Sequence, residues 1–324
     1  MQNTIQKSSQ SKAYGPVPSR RLGRSLGINN IPPKICTYAC IYCQLGNTIQ
    51  MQIDRKPFYP KDEIIHSVAE KVERARKANE KIDYLSFVPD GEPTLDINLG
   101  DQIDMLKALG IKIAVITNAS LIWDKTLRDD LARAEWVSIK IDAIDRDIWH
   151  QINRPHRALN INDILKGIIE FSNMYKGELT TETMLIKGIN DTQSEIQQIA
   201  NFLAKINPSK AYIAIPTRPP AKAGIKGADE ATINMAYQIF TSKLEHVEHL
   251  IGYEGNDFAL TSDVEDDLLG ITSVHPMRED GLNEFLKKAD ASWDVVKRLI
   301  REEKLVQTQF QGKYFYIRKI APLR

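Results

Sequence analysis

The sequence predicts an α/β protein, a partial (βα)6 TIM-like barrel over residues 13–252 with a small winged helix-turn-helix-like domain over 253–324. Three observations lead there. "KIDYLSFVPDG", "IKIAVITNAS", "EWVSIKIDAID", "LTTETMLIKGIND" and "AYIAIPTRPP" are rich in β-branched and aromatic residues and run into Gly, Pro, Asn or Asp, as strands ending in loops do. Between them lie stretches with apolar residues at three- and four-residue spacing, the periodicity of one helix face. After about Gly252 the alternation stops, and two short helical patterns precede an alternating run with a Gln311-Gly312 turn. Strand–helix repeats imply parallel strands joined by crossovers, and six units are too few to close an eight-stranded barrel.

Taken in order, "MQNTIQKSSQSKAYG" reads as a loose tail, and "RSLGINN" as the first strand. "PKDEIIHSVAEKVERARKANE" opens a helix after its proline, and "INLGDQIDMLKALG" ends one on Gly110. "DKTLRDDLARA", "INDILKGIIEFSNMYK" and "SEIQQIANFLAKI" supply the next three helices. In "WVSIKIDAID" the side chains alternate, so Ser138, Lys140 and Asp142 share one face, and Val137, Ile139 and Ile141 the other. Helices cover the outside of such a barrel, which turns the polar set toward the lumen. A buried lysine beside an aspartate is either a structural ion pair or a functional one. In the fifth strand either Thr181 and Thr183 or Glu182 and Met184 face inward. "YEGNDFALTSD" reads as a linker, "REDGLNEFLKKA" and "SWDVVKRLIREEKL" as helices with Ser292 capping the second, and "LVQTQFQGKYFYIRKI" as a two-stranded wing.

With 42% hydrophobic residues and a mean hydropathy of -0.34 the chain can bury a sizeable core, and its net charge of +1 selects no polyanionic partner by itself. It has no run of 18 apolar residues, so no membrane partner is expected. The three cysteines are an odd number without an export signal, which points to a reducing, cytoplasmic setting where thiolates are free to hold metal.

All three cysteines fall in "KICTYACIYCQLGNT", as Cys36, Cys40 and Cys43. Thiolates select zinc, copper(I) or iron–sulfur clusters. A structural zinc site needs a fourth Cys or His, and none of the six histidines is within twenty residues of the motif. His246 and His249 are spaced one helical turn apart and read as two solvated positions on a helix. A [4Fe–4S] cluster on three thiolates instead leaves one iron open. Cys-x3-Cys-x2-Cys with an aromatic, Tyr42, before the last cysteine resembles the radical S-adenosylmethionine superfamily. "GPVPSRRLGRSLGINN", the cysteine motif and "GEPTL" further resemble its branch related to the wyosine-base synthases of transfer RNA. That branch's synthases carry a second cluster on extra cysteines, and this chain has none to spare.

The resemblance implies that S-adenosylmethionine chelates the open iron. It implies that Gly91, Glu92 and Pro93 meet its ammonium, and that Asn118 contacts its ribose or carboxylate. Lys140 would take its carboxylate with Ser138 close by, Asp142 would reach ribose or substrate, and Thr217 and Arg218 would lie near the adenine. Lys140 and Asp142 are then the expected catalytic pair. It implies an electron donor such as flavodoxin or ferredoxin, and a 5′-deoxyadenosyl radical that abstracts hydrogen from a substrate. RNA is the leading substrate class, with tRNA modification the expected role; a protein, peptide or small metabolite is the second. An iron–sulfur, DNA-binding redox regulator is the reading from another class. Residues 287–324 hold ten Lys or Arg against four Asp or Glu, so Lys297, Arg298, Arg301, Lys304, Lys313, Arg318 and Lys319 give the wing a basic tint suited to phosphates. Arg20, Arg21 and Arg24 either clamp an anionic substrate group or form salt bridges at the barrel rim.

Overall fold

The computed structural model describes residues 12–252, 255–261 and 263–319. Residues 1–11 of the expected N-terminal tail and part of the expected linker, Tyr253, Glu254 and Ser262, lie outside the described residues, while Ala13–Gly15, read as the end of that tail, begin a strand.

The chain opens with an antiparallel hairpin of β1 (Ala13–Ser19) and β2 (Gly23–Ile28). The cysteine segment follows, tied down by two short parallel strands, β3 (Ile35–Cys36) and β4 (Gln50–Met51). Then come α1 (Lys61–Lys77), β5 (Tyr84–Phe87), α2 (Leu99–Leu106), β6 (Lys112–Thr117), α3 (Lys125–Leu131) and β7 (Trp136–Lys140). Two helices, α4 (Arg146–Asn153) and α5 (Ile161–Met174), cross to β8 (Glu178–Met184). The barrel ends with α6 (Gln193–Ile206), β9 (Lys210–Ala214), α7 (Glu230–Thr241) and β10 (Val247–Leu250). The eight-stranded sheet runs β1-β2-β5-β6-β7-β8-β9-β10, parallel from β2 onward. It is the expected partial barrel, six strand–helix units with β10 added at one edge and antiparallel β1 at the other.

Local chemistry explains the helix starts. Asp124, Asp145, Thr192 and Asp229 cap α3, α4, α6 and α7, each accepting a hydrogen bond from a backbone N–H of the first turn. The alternation in β7 works as expected: Val137, Ile139 and Ile141 are buried against Leu127, Ile164 and Ile168 of the helices. Trp136, on the opposite face, packs with Leu22 and Ala114 on the lumen floor. Leu22 belongs to the β1–β2 turn, which thus plugs the lumen from below.

The histidine pair corrects the sequence expectation. His249 lies in β10 and stacks on Tyr237 at 4.7 Å, and His246 immediately precedes that strand; neither is helical.

The remaining chain forms α8 (Val264–Thr272), β11 (Met277–Arg278), α9 (Glu279–Lys288), α10 (Asp294–Arg301), β12 (Leu305–Phe310) and β13 (Lys313–Arg318). The three strands make an antiparallel sheet ordered β11-β13-β12. Its core of Phe258, Leu268, Met277, Phe285, Leu299 and Tyr316 also takes in Tyr14 and Val17 of β1. The small unit is therefore built onto the edge strand of the barrel. Its basic tint is largely cancelled: Arg298 and Lys304 pair with Glu265, Lys319 with Glu303 and Lys297 with Asp294. Among the described residues no helix is long and apolar enough to cross a membrane.

Candidate functional site

Cys36, Cys40 and Cys43 all line one cavity of about 250 Å³ over the carboxyl ends of the strands, where sites of such barrels collect. The backbone holds their loop from both sides. The N–H of Ala39 reaches Asn153 O at 3.0 Å, that of His156 reaches Thr37 O at 2.9 Å, and that of Lys222 reaches Ile41 O at 3.0 Å. Ile41 and Tyr42 are buried against Ile152 and Ile186. Burial pushes every thiol up, Cys40 to about 12, with the Asp142 carboxylate adding to the effect there. Such thiols give up their protons only to a strong positive charge, which is what iron supplies. Among the described residues no three His, Cys, Asp or Glu side chains are grouped to hold a single metal ion. Three soft donors around one cavity, not gathered on one point, fit a cubane in which each thiolate takes a different iron.

Two asparagines serve the sulfurs. Asn118 Nδ2 donates to Cys36 Sγ at 3.6 Å and to Thr37 Oγ1 at 2.8 Å, and Asn153 Nδ2 donates to Cys40 Sγ at 3.4 Å. Asn118 Oδ1 accepts from Ser120 N at 2.9 Å, and Asn118 lines the cavity.

The turn after β5 is bound into the same loop. Gly91 has φ +154°, and a Cβ there would sit 2.1 Å from Ile35 O, so only glycine lets the turn lie against the residue preceding Cys36. Pro93 starts the short helical turn behind it. Glu92 departs from expectation. Its Oε1 accepts from Thr94 Oγ1 and Thr117 Oγ1, both at 2.6 Å, and its Oε2 from Asn118 N at 2.8 Å. Both oxygens are occupied by the protein's own donors, and burial pushes the carboxyl up. Glu92 is a brace between β5 and β6, and with Gly91 it lines the cavity.

The β7 residues separate. Lys140 lines the cavity, its ammonium 2.7 Å from Glu182 Oε1 and 5.3 Å above the Tyr42 ring. Burial opposes its charge, but Glu182 and Asp142 more than restore it, and its pKa is raised. Glu182 also pairs with Arg21, which reaches into the lumen from the β1–β2 turn. This settles the open choice in the fifth strand: Glu182 and Met184 face the cavity. Lys140 thus has its main partner directly opposite it on the neighbouring strand β8, and not in Asp142 two residues further on.

Asp142 does not line this cavity. It is 3% exposed and accepts from Tyr42 Oη, from Asn153 Nδ2 at 2.7 Å and from Met184 N at 2.9 Å. Past the end of β7 the alternation no longer applies, and the carboxylate turns under the cysteine loop instead of toward a ribose. Ser138 is fully buried below Lys140, also outside the cavity lining. Thr217 and Arg218, in the loop after β9, do line it, as do Arg20 and Arg21. Arg24 instead pairs with Glu80 and Asp257 at the rim. Asn153 is not singled out in the sequence; Arg21 reads there only as one of three arginines for an anionic group or a salt bridge, and Glu182 only as one of two alternatives in the fifth strand.

A family model described as the Radical SAM superfamily matches residues 30–203. UPF0026 protein MJ1312 of Methanocaldococcus jannaschii is 47% identical over 310 residues, covering 95% of this chain and 96% of that one. Two solved structures share the fold. A radical SAM methyltransferase from Sphaerobacter thermophilus aligns with TM-score 0.54 at 17% identity, over 70% of this chain and 66% of that chain. SuiB of Streptococcus suis bound to S-adenosylmethionine aligns with TM-score 0.51 at 16% identity, over 69% of this chain and 49% of that chain.

Proposed function

The chain belongs to the radical S-adenosylmethionine superfamily and, within it, to the UPF0026 family, and we propose that Cys36, Cys40 and Cys43 hold the [4Fe–4S] cluster at which it cleaves S-adenosylmethionine to modify an RNA. As a member it is an enzyme that uses that cluster, S-adenosylmethionine and a reductant. The observation that carries the site assignment is that all three cysteines, half-buried, line one cavity.

A cluster held by Cys36, Cys40 and Cys43 would supply the electron for reductive cleavage of S-adenosylmethionine and so the means of taking hydrogen from the substrate. The protein's share is placement and exclusion of water. Asn118 and Asn153 donate to the sulfurs and steady their charge. The backbone of the Gly91–Pro93 turn offers polar groups to the amino-acid end of the cosubstrate. Lys140, held by Glu182, places a positive charge on the wall where a carboxylate of cosubstrate or substrate is neutralised. A redox regulator has no use for this charged lumen.

The RNA reading rests on the rim, not on the wing. Arg154, Arg157, Lys222 and Lys226 are exposed, on segments bonded to the cysteine loop or adjoining them, and form no ion pair among the described residues. Unpaired cations around the mouth of a site favour a phosphate backbone, whereas the wing's cations are mostly neutralised. Anaerobically reconstituted enzyme given reductant, S-adenosylmethionine and RNA from cells lacking the gene is expected to yield 5′-deoxyadenosine and a new nucleoside by mass spectrometry. Turnover with a peptide or metabolite but not with RNA would overturn the substrate assignment.

A further inference from the structure

Among the described residues, the C-terminal unit meets the cluster site at the turn between α8 and β11. Val274 O accepts from Gln44 Nε2 at 3.3 Å, and Gln44 directly follows Cys43. Gln44 Oε1 in turn accepts from Arg218 Nη1 at 2.6 Å. Arg218 Nη2 lies 3.0 Å from His275 Nε2 and 3.3 Å from Nδ1, and an arginine only donates, so the imidazole supplies the accepting nitrogen. His275 is 6% exposed and Arg218 9% exposed, and the ring is wedged edge-on against Phe258 at 5.2 Å. Gln44 and Arg218 both line the cavity. This turn therefore joins the end of the cysteine loop to the loop after β9 across the mouth of the site. Arg218, Val274 and His275 all lie beyond the segment matched by the family model.

We propose that His275 is a positioning residue: with Gln44 and Arg218 it makes the C-terminal unit part of the S-adenosylmethionine site, setting the spacing between the Cys43 end of the cluster loop and the wall after β9. The inference rests on the cluster assignment above. A guanidinium buried at a cavity wall keeps one orientation only while its donors are met, and the partners of its two terminal nitrogens here include Gln44 of the cysteine loop and His275 of the α8–β11 turn, two separate segments. Without the imidazole, Arg218 loses its anchor on this turn and holds Gln44 less firmly, so the wall after β9 can part from the cysteine loop, although neither residue is a cluster ligand.

The test compares His275→Leu with His275→Gln, which keeps an acceptor, in cluster-loaded protein. The readouts are iron content, thermal midpoint, the dissociation constant for S-adenosylmethionine, and the change that S-adenosylmethionine causes in the electron paramagnetic resonance of the reduced cluster. H275L is expected to keep its iron, to bind S-adenosylmethionine about tenfold more weakly, the scale of one hydrogen bond to a charged group, and to show a diminished spectral change; H275Q is expected to recover most of both. Wild-type affinity and an unaltered spectral change in H275L overturn the proposal. Should H275L not fold, Gln44→Leu cuts the same bridge from the half-buried loop side, with the same expectation and the same overturning result. If wild-type protein itself shows no spectral response to S-adenosylmethionine, the cluster assignment falls, which is a separate outcome.

Discussion

Replacing Asp142 by Asn separates a structural carboxylate from a catalytic one. In the wild type, Tyr42 Oη and Asn153 Nδ2 donate to Oδ2 and the Met184 N–H donates to Oδ1. An asparagine can keep the Met184 bond through its oxygen, and the Tyr42 hydroxyl can turn to accept from the new amide. The amide of Asn153 cannot turn, because its second hydrogen is given to Cys40 Sγ at 3.4 Å. One donor thus meets another donor in a fully enclosed place. Losing a charge-assisted bond costs about 1.5–3 kcal/mol, and a neutral side chain is cheaper to bury, so the net loss is about 2 kcal/mol. Denaturant unfolding of metal-free, reduced D142N should show a lower midpoint at an unchanged slope. Protein loaded with cluster should still bind S-adenosylmethionine at wild-type affinity. Wild-type stability combined with lost binding would refute this reasoning and return Asp142 to the ligand.

Glu182→Gln leaves Lys140 and Arg21 facing each other across the lumen without their shared counter-charge, and should destabilise the fold by about 3 kcal/mol in chemical unfolding. Asn153→Ala removes a donor to Cys40 Sγ and should lower the cluster's reduction potential by on the order of 50 mV in voltammetry, close to the 59 mV of a tenfold one-electron change. Burial pushes the Asp96 carboxyl up to about 6 from 3.8. The folded state therefore holds this proton more tightly, a contribution present in full below pH 4 and lost as pH rises through about 6. The stability of wild type relative to Asp96→Asn should accordingly fall by on the order of 2 kcal/mol between pH 4 and 7, measured by unfolding at each pH.

The barrel was legible where periodicity and punctuation agree. All five strands read from β-branched runs and all five helices read from apolar spacing before Gly252 are present, as is the strand in "RSLGINN". β1 went unread because its two prolines argue against a strand, yet an edge position tolerates them. α4 and α7 went unread although Ile148, Trp149 and Ile152 in the one and Ile233, Ala236 and Phe240 in the other carry that spacing, and β10 is four residues long. At the site, residue types and order showed the cysteines, the Gly-Glu-Pro turn and the lumen-facing lysine. What they could not show is which hydrogen bonds are already taken. Glu92, Asn118 and Asp142 have the chemistry of ligand contacts, and each also bonds to partners within the protein. The Glu182 partnership and the Arg218–His275 contact likewise depend on register and on packing between units.

Mössbauer spectra of cluster-loaded protein enriched in the iron isotope, taken with and without S-adenosylmethionine, bear most directly on the vacant corner. A single iron of the cube should change its parameters when the nucleotide is added, the other three staying constant under their thiolates. Four irons that respond alike, or none that responds, would mean that Cys36, Cys40 and Cys43 do not leave an open coordination site for it.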